Sequence, residues 1–296
     1  MPTLNLTRAQ YDALVAVNWS SLKHLGRSPA HYQAALKQTF ADTDALRIGR
    51  AFHVAALEPQ RAESLYAVWA DRRAGKAWEA FQAAAEESGR EVIRDSDYQQ
   101  ALTLALAVRG NSTARRYLDR AGAAEQSIQW IAKSLPVAVP FVADFEPYAI
   151  ACKGRLDWVT EDGWIVDLKS TRDGSPDAFG RDAARLGYVT QAAWYFDGLE
   201  AATGKRPQGY VMIAVEKTGP HVVQVYQVTD EQLELGRQTY RDLLDRLWLC
   251  TRENRWPAYA EGELPLTLPR WATPAFDDEG AEDLGLTFGA GQLSES

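Results

Sequence analysis

The sequence predicts an α/β (α+β) fold in a single domain, and three observations carry that expectation. Residues up to about 120 read as helices. Those from about 121 to 272 read as hairpin-rich strands with helices among them. A tail rich in Gly and acid follows at 273–296 and is expected to be disordered. Along the helical part, Asn18 can cap a short helix through Leu25, and Ser28-Pro29 opens another with Pro at its first position. Thr43 to Leu57 carries apolar residues at Leu46, Ile48, Ala51, Phe52, Ala55 and Ala56, near helical spacing, and stops before Pro59. Asp95 to Arg109 forms a further helix. The pattern changes at Gln126 to strands over Ser127–Ile131, Tyr148–Val159, Trp164–Leu168, Tyr210–Glu216 and Val222–Val228. Between them, Pro176 to Ala202 reads as one long helix ending at Gly204, and Asp230 to Cys250 as a second.

Composition narrows the function classes. The chain has 296 residues, 46% hydrophobic and 24% charged, enough for a full core without staples. No apolar run approaches the ~20 residues of a membrane span. Met1 to Gln10 lacks a basic stretch followed by an apolar one, so no signal peptide is expected. Cys152 and Cys250 are too few for a disulfide scaffold, a four-cysteine zinc site or an iron–sulfur cluster, and a reducing cytoplasm is the default reading. The net charge is −8, mildly against a passive phosphate binder. However, the tail alone holds Asp277, Asp278, Glu279, Glu282, Asp283 and Glu295 with no Lys or Arg, leaving −2 for residues 1–272. A body near neutrality can still present a basic groove.

The stretch from Lys153 to Thr171 carries the chemistry. Asp162-Gly163 is a hairpin signal, and two strands meeting there bring Asp157 near Asp167. Side chains alternate along a strand, so Asp167 and Lys169 share one face while Val166 and Leu168 point the other way. Two carboxylates and a lysine at a strand end suit Mg²⁺, which takes oxygen ligands and keeps several waters. A coordinated water could attack a phosphodiester while the lysine stabilises developing charge. A solvated cross-strand pair would look similar, but Ile165, Val166 and Leu168 mark a buried strand, where an Asp needs a reason. A glycosidase using the two carboxylates is chemically open, although a lysine two residues from Asp167 fits phosphodiester chemistry better.

These residues resemble the core of the PD-(D/E)XK nuclease superfamily, and more closely its RecE-type (exonuclease VIII) recombination exonucleases. Seven segments carry the resemblance in order over roughly residues 10 to 272: Ser21-Leu22 with Ser28-Pro29-Ala30-His31-Tyr32; Leu46 to His53 with Leu57-Glu58-Pro59; Ala124-Glu125-Gln126-Ser127-Ile128; Gly154-Arg155-Leu156-Asp157; Val166-Asp167-Leu168-Lys169-Ser170-Thr171; Tyr188 to Tyr195; and Leu268-Pro269-Arg270-Trp271-Ala272. The resemblance implies a restriction-endonuclease-like core, a central mixed sheet flanked by helices with a helical N-terminal region. It implies a Mg²⁺-dependent 5′–3′ exonuclease that degrades one strand of linear double-stranded DNA and leaves 3′ overhangs for strand annealing. Two ions are implied, with Mn²⁺ able to substitute. The metal ligands would be His53, Asp157, Asp167 and the Leu168 carbonyl. Lys169 would position the water, Glu125 would be a further active-site acid, and Gln191 and Tyr195, four apart on one helix face, would contact substrate or orient Lys169. Also implied are a homo-oligomeric ring (a tetramer before a trimer), a single-strand annealing partner, no membrane, and a cytoplasmic, phage- or prophage-encoded setting in a bacterial host.

Other readings stay open on the residues alone. His53 could be a satisfied core histidine, Glu125 a capping acid, Gln191 a surface amide and Tyr195 a core aromatic. Arg47, Arg50, Arg72, Arg73 and Lys76 could meet DNA phosphates or form solvated faces. The tail could dock on the annealing partner or merely solubilise. Other nucleases of the superfamily, CRISPR-associated, helicase-associated or endonucleolytic, remain alternatives, as does a non-catalytic DNA-end-binding module. The segment 131–150, with Pro136, Pro140 and Pro147, is longer than the pattern expects, and Ser170 stands where a threonine is common.

Overall fold

The computed structural model describes residues 6–38, 42–134, 148–260 and 262–269. The chain divides into two compact units, Met1–Ala258 and Tyr259–Ser296, and the site lies in the first. The expected disordered tail, Arg270-Trp271-Ala272 and most of the 131–150 segment lie outside the described residues. No described helix is long and apolar enough to cross a membrane.

Thr7 opens α1 (Arg8–Ala13) with a capping box shared with Gln10. Asn18 caps α2 (Trp19–Leu22), and the run through Leu25 finishes as a 3-10 turn, Lys23–Gly26. Ser28 caps α3 (Pro29–Lys37), and Thr43 caps α4 (Asp44–Leu57), which ends before a second 3-10 turn, Pro59–Arg61. Next come α5 (Ala62–Leu65), β1 (Tyr66–Trp69), α6 (Lys76–Glu87), β2 (Glu91–Arg94), α7 (Asp95–Gly110) and α8 (Ser112–Leu118). The wholly helical reading of this region is corrected here. β1 and β2 pair in parallel as a separate two-stranded sheet. Strands of four residues are too short for alternation to show in sequence.

The main sheet contains β3 (Gly122–Lys133), β4 (Ala149–Thr160), β5 (Trp164–Thr171), β6 (Gly209–Glu216) and β7 (Val223–Val228), side by side in that order. Only β5 and β6 run parallel, and the chain between them forms α9 (Pro176–Leu186) and α10 (Tyr188–Thr203). The expected single helix is broken at Gly187, whose φ of +71° is left-handed. A Cβ there would meet the Trp19 ring at 2.8 Å, so the close approach and the bend both demand glycine. Finally, α11 (Asp230–Glu253) starts with a Thr229–Gln232 capping box.

Strand alternation sorts the core into two layers. Ile165, Tyr210, Met212 and Ala214 pack toward α2, α10 and α11. Val166, Leu168, Val211, Ile213 and Val215 pack toward α4, α7 and α8. The sheet therefore lies between two helical layers, with β5 buried on both faces as parallel strands usually are.

The N-terminal segment is tied to β4. Val17 forms a bridge with Cys152, and the Lys153 Nζ donates to the carbonyls of Tyr11 (2.9 Å), Asp12 (3.3 Å) and Leu14 (2.9 Å). These carbonyls lie at the C-terminal end of α1, where the Tyr11 carbonyl also accepts the Leu14 N–H and the Leu14 carbonyl the Ala16 N–H, and the buried ammonium adds a charged donor to all three.

Helices α10 and α11 cross at Gly236, where a Cβ would meet the Val189 carbonyl at 2.6 Å and the Ala193 Cβ at 2.8 Å. The layer that carries Gln191 and Tyr195 is thus set by a glycine. Gly236→Ala is expected to cost about 1–3 kcal/mol by overpacking, read as a lower midpoint in urea unfolding. An unchanged midpoint would show that the helices part at no cost.

Candidate metal centre and active site

The site arises where β4 leaves β5. β4 follows β3 from Gly122↔Thr160 to Lys133↔Ala149, but it pairs with β5 only at Trp158↔Val166 and Val159↔Ile165. One further step would set Asp157 opposite Asp167. Instead the Leu168 N–H donates to the Asp157 Oδ2 at 2.8 Å, so a side chain takes the place of a ladder carbonyl. The N–H and C=O of one strand residue point to the same edge, so the Leu168 carbonyl also faces this gap.

Glu125 enters from β3, across from Asp157, at a φ of +53°. A non-glycine residue in this region costs about 1 kcal/mol or more and marks an imposed geometry. The alternation of both strands slips here. Ala124 and Trp158 pack on the α4 side, whereas Ile128 and Leu156 pack on the α10 side. The slip turns the Glu125 and Asp157 carboxylates into the same gap. From α4, the His53 Nδ1 comes to 3.4 Å from the Asp157 Oδ1. Ligand atoms of His53, Glu125 and Asp157 all lie within 4.8 Å of one another, a grouping that could hold a metal ion.

Asp167 stands beside this trio, close enough to feel the charges of Asp157 and His53. Its carboxylate makes an ion pair with Lys169, whose Nζ also donates to the Gln191 Oε1 at 3.1 Å and sits 4.7 Å from the Tyr188 ring centroid. The Gln191 amide in turn donates to the Tyr195 hydroxyl at 3.3 Å. The shared face of Asp167 and Lys169 therefore looks toward α10, while the metal-type trio is completed by Glu125.

The charges respond to one another. Burial pushes the Asp167 carboxyl above the ordinary range, and Asp157 adds to that push against the pull of Lys169. Burial would also raise Asp157, but His53 and Lys169 outweigh it and hold that carboxyl low. Burial and the nearby Asp157 raise Glu125, although the Arg155 guanidinium pairs with it. For Lys169 and His53, burial opposes the charged form, yet the surrounding carboxylates prevail and both are raised.

The structure brings together seven of the expected site groups: His53, Glu125, Asp157, Asp167, Lys169, Gln191 and Tyr195. The expected basic residues behave differently. Arg47 is held by Asp42 and Asp44, and Arg50 by Asp42 and Glu91, so the Arg47–Arg50–His53 face is not an open row of phosphate-seeking cations. Arg73 stacks over Trp78 at 5.6 Å, while Arg72 and Lys76 are exposed beside it. Sequence reasoning missed Arg155 and Tyr188. Arg155 stands two residues before Asp157 on a strand, a spacing that puts both on one face.

The family model for the PDDEXK-like domain of unknown function DUF3799 matches residues 18–263. The chain belongs to this family. A crystal structure of a "putative exonuclease" from Eubacterium rectale aligns with a TM-score of 0.55 at 15% identity, covering 89% of this chain and 97% of that one, a likeness of fold. A second structure, of SSO0001, aligns at 12% identity over 79% of this chain and 85% of that one, but its TM-score of 0.29 carries no argument. No curated protein matches the sequence.

The His53–Asp157 attraction predicts a pH dependence for the metal-free protein. His53 is raised above 6.5 and Asp157 lowered below 3.8, so the pair stabilises fully between those values. The contribution fades as pH rises through the raised His53 value, and as pH falls through the lowered Asp157 value. Urea unfolding in EDTA is expected to show wild type losing its advantage over His53→Ala as pH climbs above neutrality. A difference that stays constant from pH 6 to 9 would contradict the pairing.

Proposed function

We propose that this protein is a divalent-metal-dependent exodeoxyribonuclease that degrades the 5′-ended strand of linear double-stranded DNA and leaves 3′ overhangs for recombination by strand annealing. One observation carries the reading: the His53–Glu125–Asp157 trio converges in the gap beside the Asp167–Lys169 pair. Two carboxylates and an imidazole suit Mg²⁺ or Mn²⁺, with the Leu168 carbonyl facing the same gap as a further oxygen donor. The chemistry an ion would supply there is polarisation of the phosphate and a lowered pKa for a coordinated water.

The chain's own residues do the rest. Lys169 is kept charged by Asp167 and aimed by Gln191, so it meets charge developing on a phosphate without reorganising. Gln191 is itself held by Tyr195, which lies against the backbone of Gly154. Arg155 balances the charge of Glu125.

Polarity, the ring assembly and the annealing partner rest on the resemblance of the seven segments to RecE-type exonucleases. On that reading the protein works as a homo-oligomeric ring, a tetramer before a trimer, in the cytoplasm of a bacterial host.

Digestion of linear duplex DNA labelled at either 5′ or 3′ ends, beside a closed circle, tests the reading. Mg²⁺-dependent loss from 5′ ends with the circle spared is expected, and none in EDTA. Cleavage of the circle would overturn the exonuclease assignment. Lys169→Ala is expected to lower the rate by about 10²–10³-fold or more while keeping metal and DNA affinity. A near-full rate would remove its assigned role.

A further inference from the structure

A groove of about 920 Å³ runs from Glu125, the member of the metal-type trio that lines it, out between α1 and the end of α4. Arg8, Arg50, Arg61 and Arg155 line it with Leu6 and Leu65, against three carboxylates, Glu58 and Glu91 on the walls and Glu125 at the inner end. We propose that this groove carries the strand being cut, in unpaired form, and that Arg8 and Arg61 hold its phosphates. The proposal deepens the nuclease reading and rests on it.

Two features point to a single strand. The reacting groups lie below the surface: side-chain exposure is 25% for His53, 16% for Asp157, 5% for Asp167 and 14% for Lys169. A phosphate must come down to them, and a paired duplex keeps its backbone on the outside of a thick rod. The groove also presents guanidinium groups with apolar surface among them. That pattern matches an unpaired strand, which shows phosphates and base faces together, whereas a duplex hides its bases.

The four arginines are not equivalent. Arg155 and Arg50 are bound to carboxylates at the inner end and on the wall. Arg8 and Arg61 stand at 67% and 51% side-chain exposure. Among the described residues Arg8 gives its Nε to Asp12 and Arg61 one terminal nitrogen to Glu58, so each fork keeps donors to offer. Surface pairs of this kind are weak and give way to a phosphate at little cost.

The test measures binding of a labelled 12-nucleotide oligothymidine by fluorescence anisotropy, in Mg²⁺, across a salt series. It uses the full chain carrying Lys169→Ala so that the probe survives. Adding Arg8→Ala or Arg61→Ala is expected to weaken binding roughly tenfold each. Each change is also expected to lower the slope of log affinity against log salt by about 0.7, one single-strand phosphate contact. Arg252→Ala, an equal loss of charge on α11, is expected to change neither. Unchanged affinity and slope for both groove variants, with wild type still digesting linear DNA, would overturn the groove and leave the nuclease reading standing. An equal loss with Arg252→Ala would overturn it too, since net charge alone would then explain the effect. A wild-type protein that neither binds the oligonucleotide nor cuts linear DNA would overturn both.

Discussion

The site depends on one substituted hydrogen bond. Where the ladder between β4 and β5 would continue, the Asp157 carboxylate accepts the Leu168 N–H and the strands part. Without that bond, separating two buried strands would leave backbone groups unpaired, a cost of roughly 1–3 kcal/mol for each. With it, a carboxylate sits inside the sheet with one oxygen anchored and the other turned to His53. The opening is held from the other end as well, because Val17 pairs with β4 at Cys152.

Charge balance explains why so many ionisable groups tolerate this burial. Glu125, Asp157 and Asp167 would repel one another, and burial alone would protonate them. Each has a cationic neighbour instead: Arg155 for Glu125, His53 for Asp157 and Lys169 for Asp167. The arrangement leaves Asp157 ionised and Lys169 charged. The cations come from three different elements, so the balance requires α4, β4 and β5 to be packed together. The left-handed Glu125 and the glycine crossing of α10 and α11 serve the same packing.

What could be read from the sequence follows from how local each feature is. Asp157, the Asp162-Gly163 turn and Asp167-Leu168-Lys169 lie within fifteen residues, so the hairpin brings the two aspartates together and strand alternation puts Asp167 and Lys169 on one face. The Gln191–Tyr195 spacing is local in the same way. The place of Glu125 is not, because no residue pattern announces a left-handed glutamate or a slip of alternation in two strands at once. Nor is the fate of Arg50, whose partner Glu91 lies forty-one residues away on a strand too short to foresee. Gly187 illustrates the opposite error: a glycine inside a helical pattern is tolerated often enough that the break shows only once Trp19 is packed against it. The fold class, an α/β sheet flanked by helices of the PDDEXK-like type, was legible because it needs only element order and one hairpin.

The His53–Glu125–Asp157 trio is the proposed metal centre, with the Asp167–Lys169 pair beside it. Crystals grown with Mn²⁺ and measured near its absorption edge test this directly. An anomalous peak within bonding distance of His53, Glu125 and Asp157 is the predicted result. A peak elsewhere, or none at concentrations that support cleavage of DNA, would contradict it.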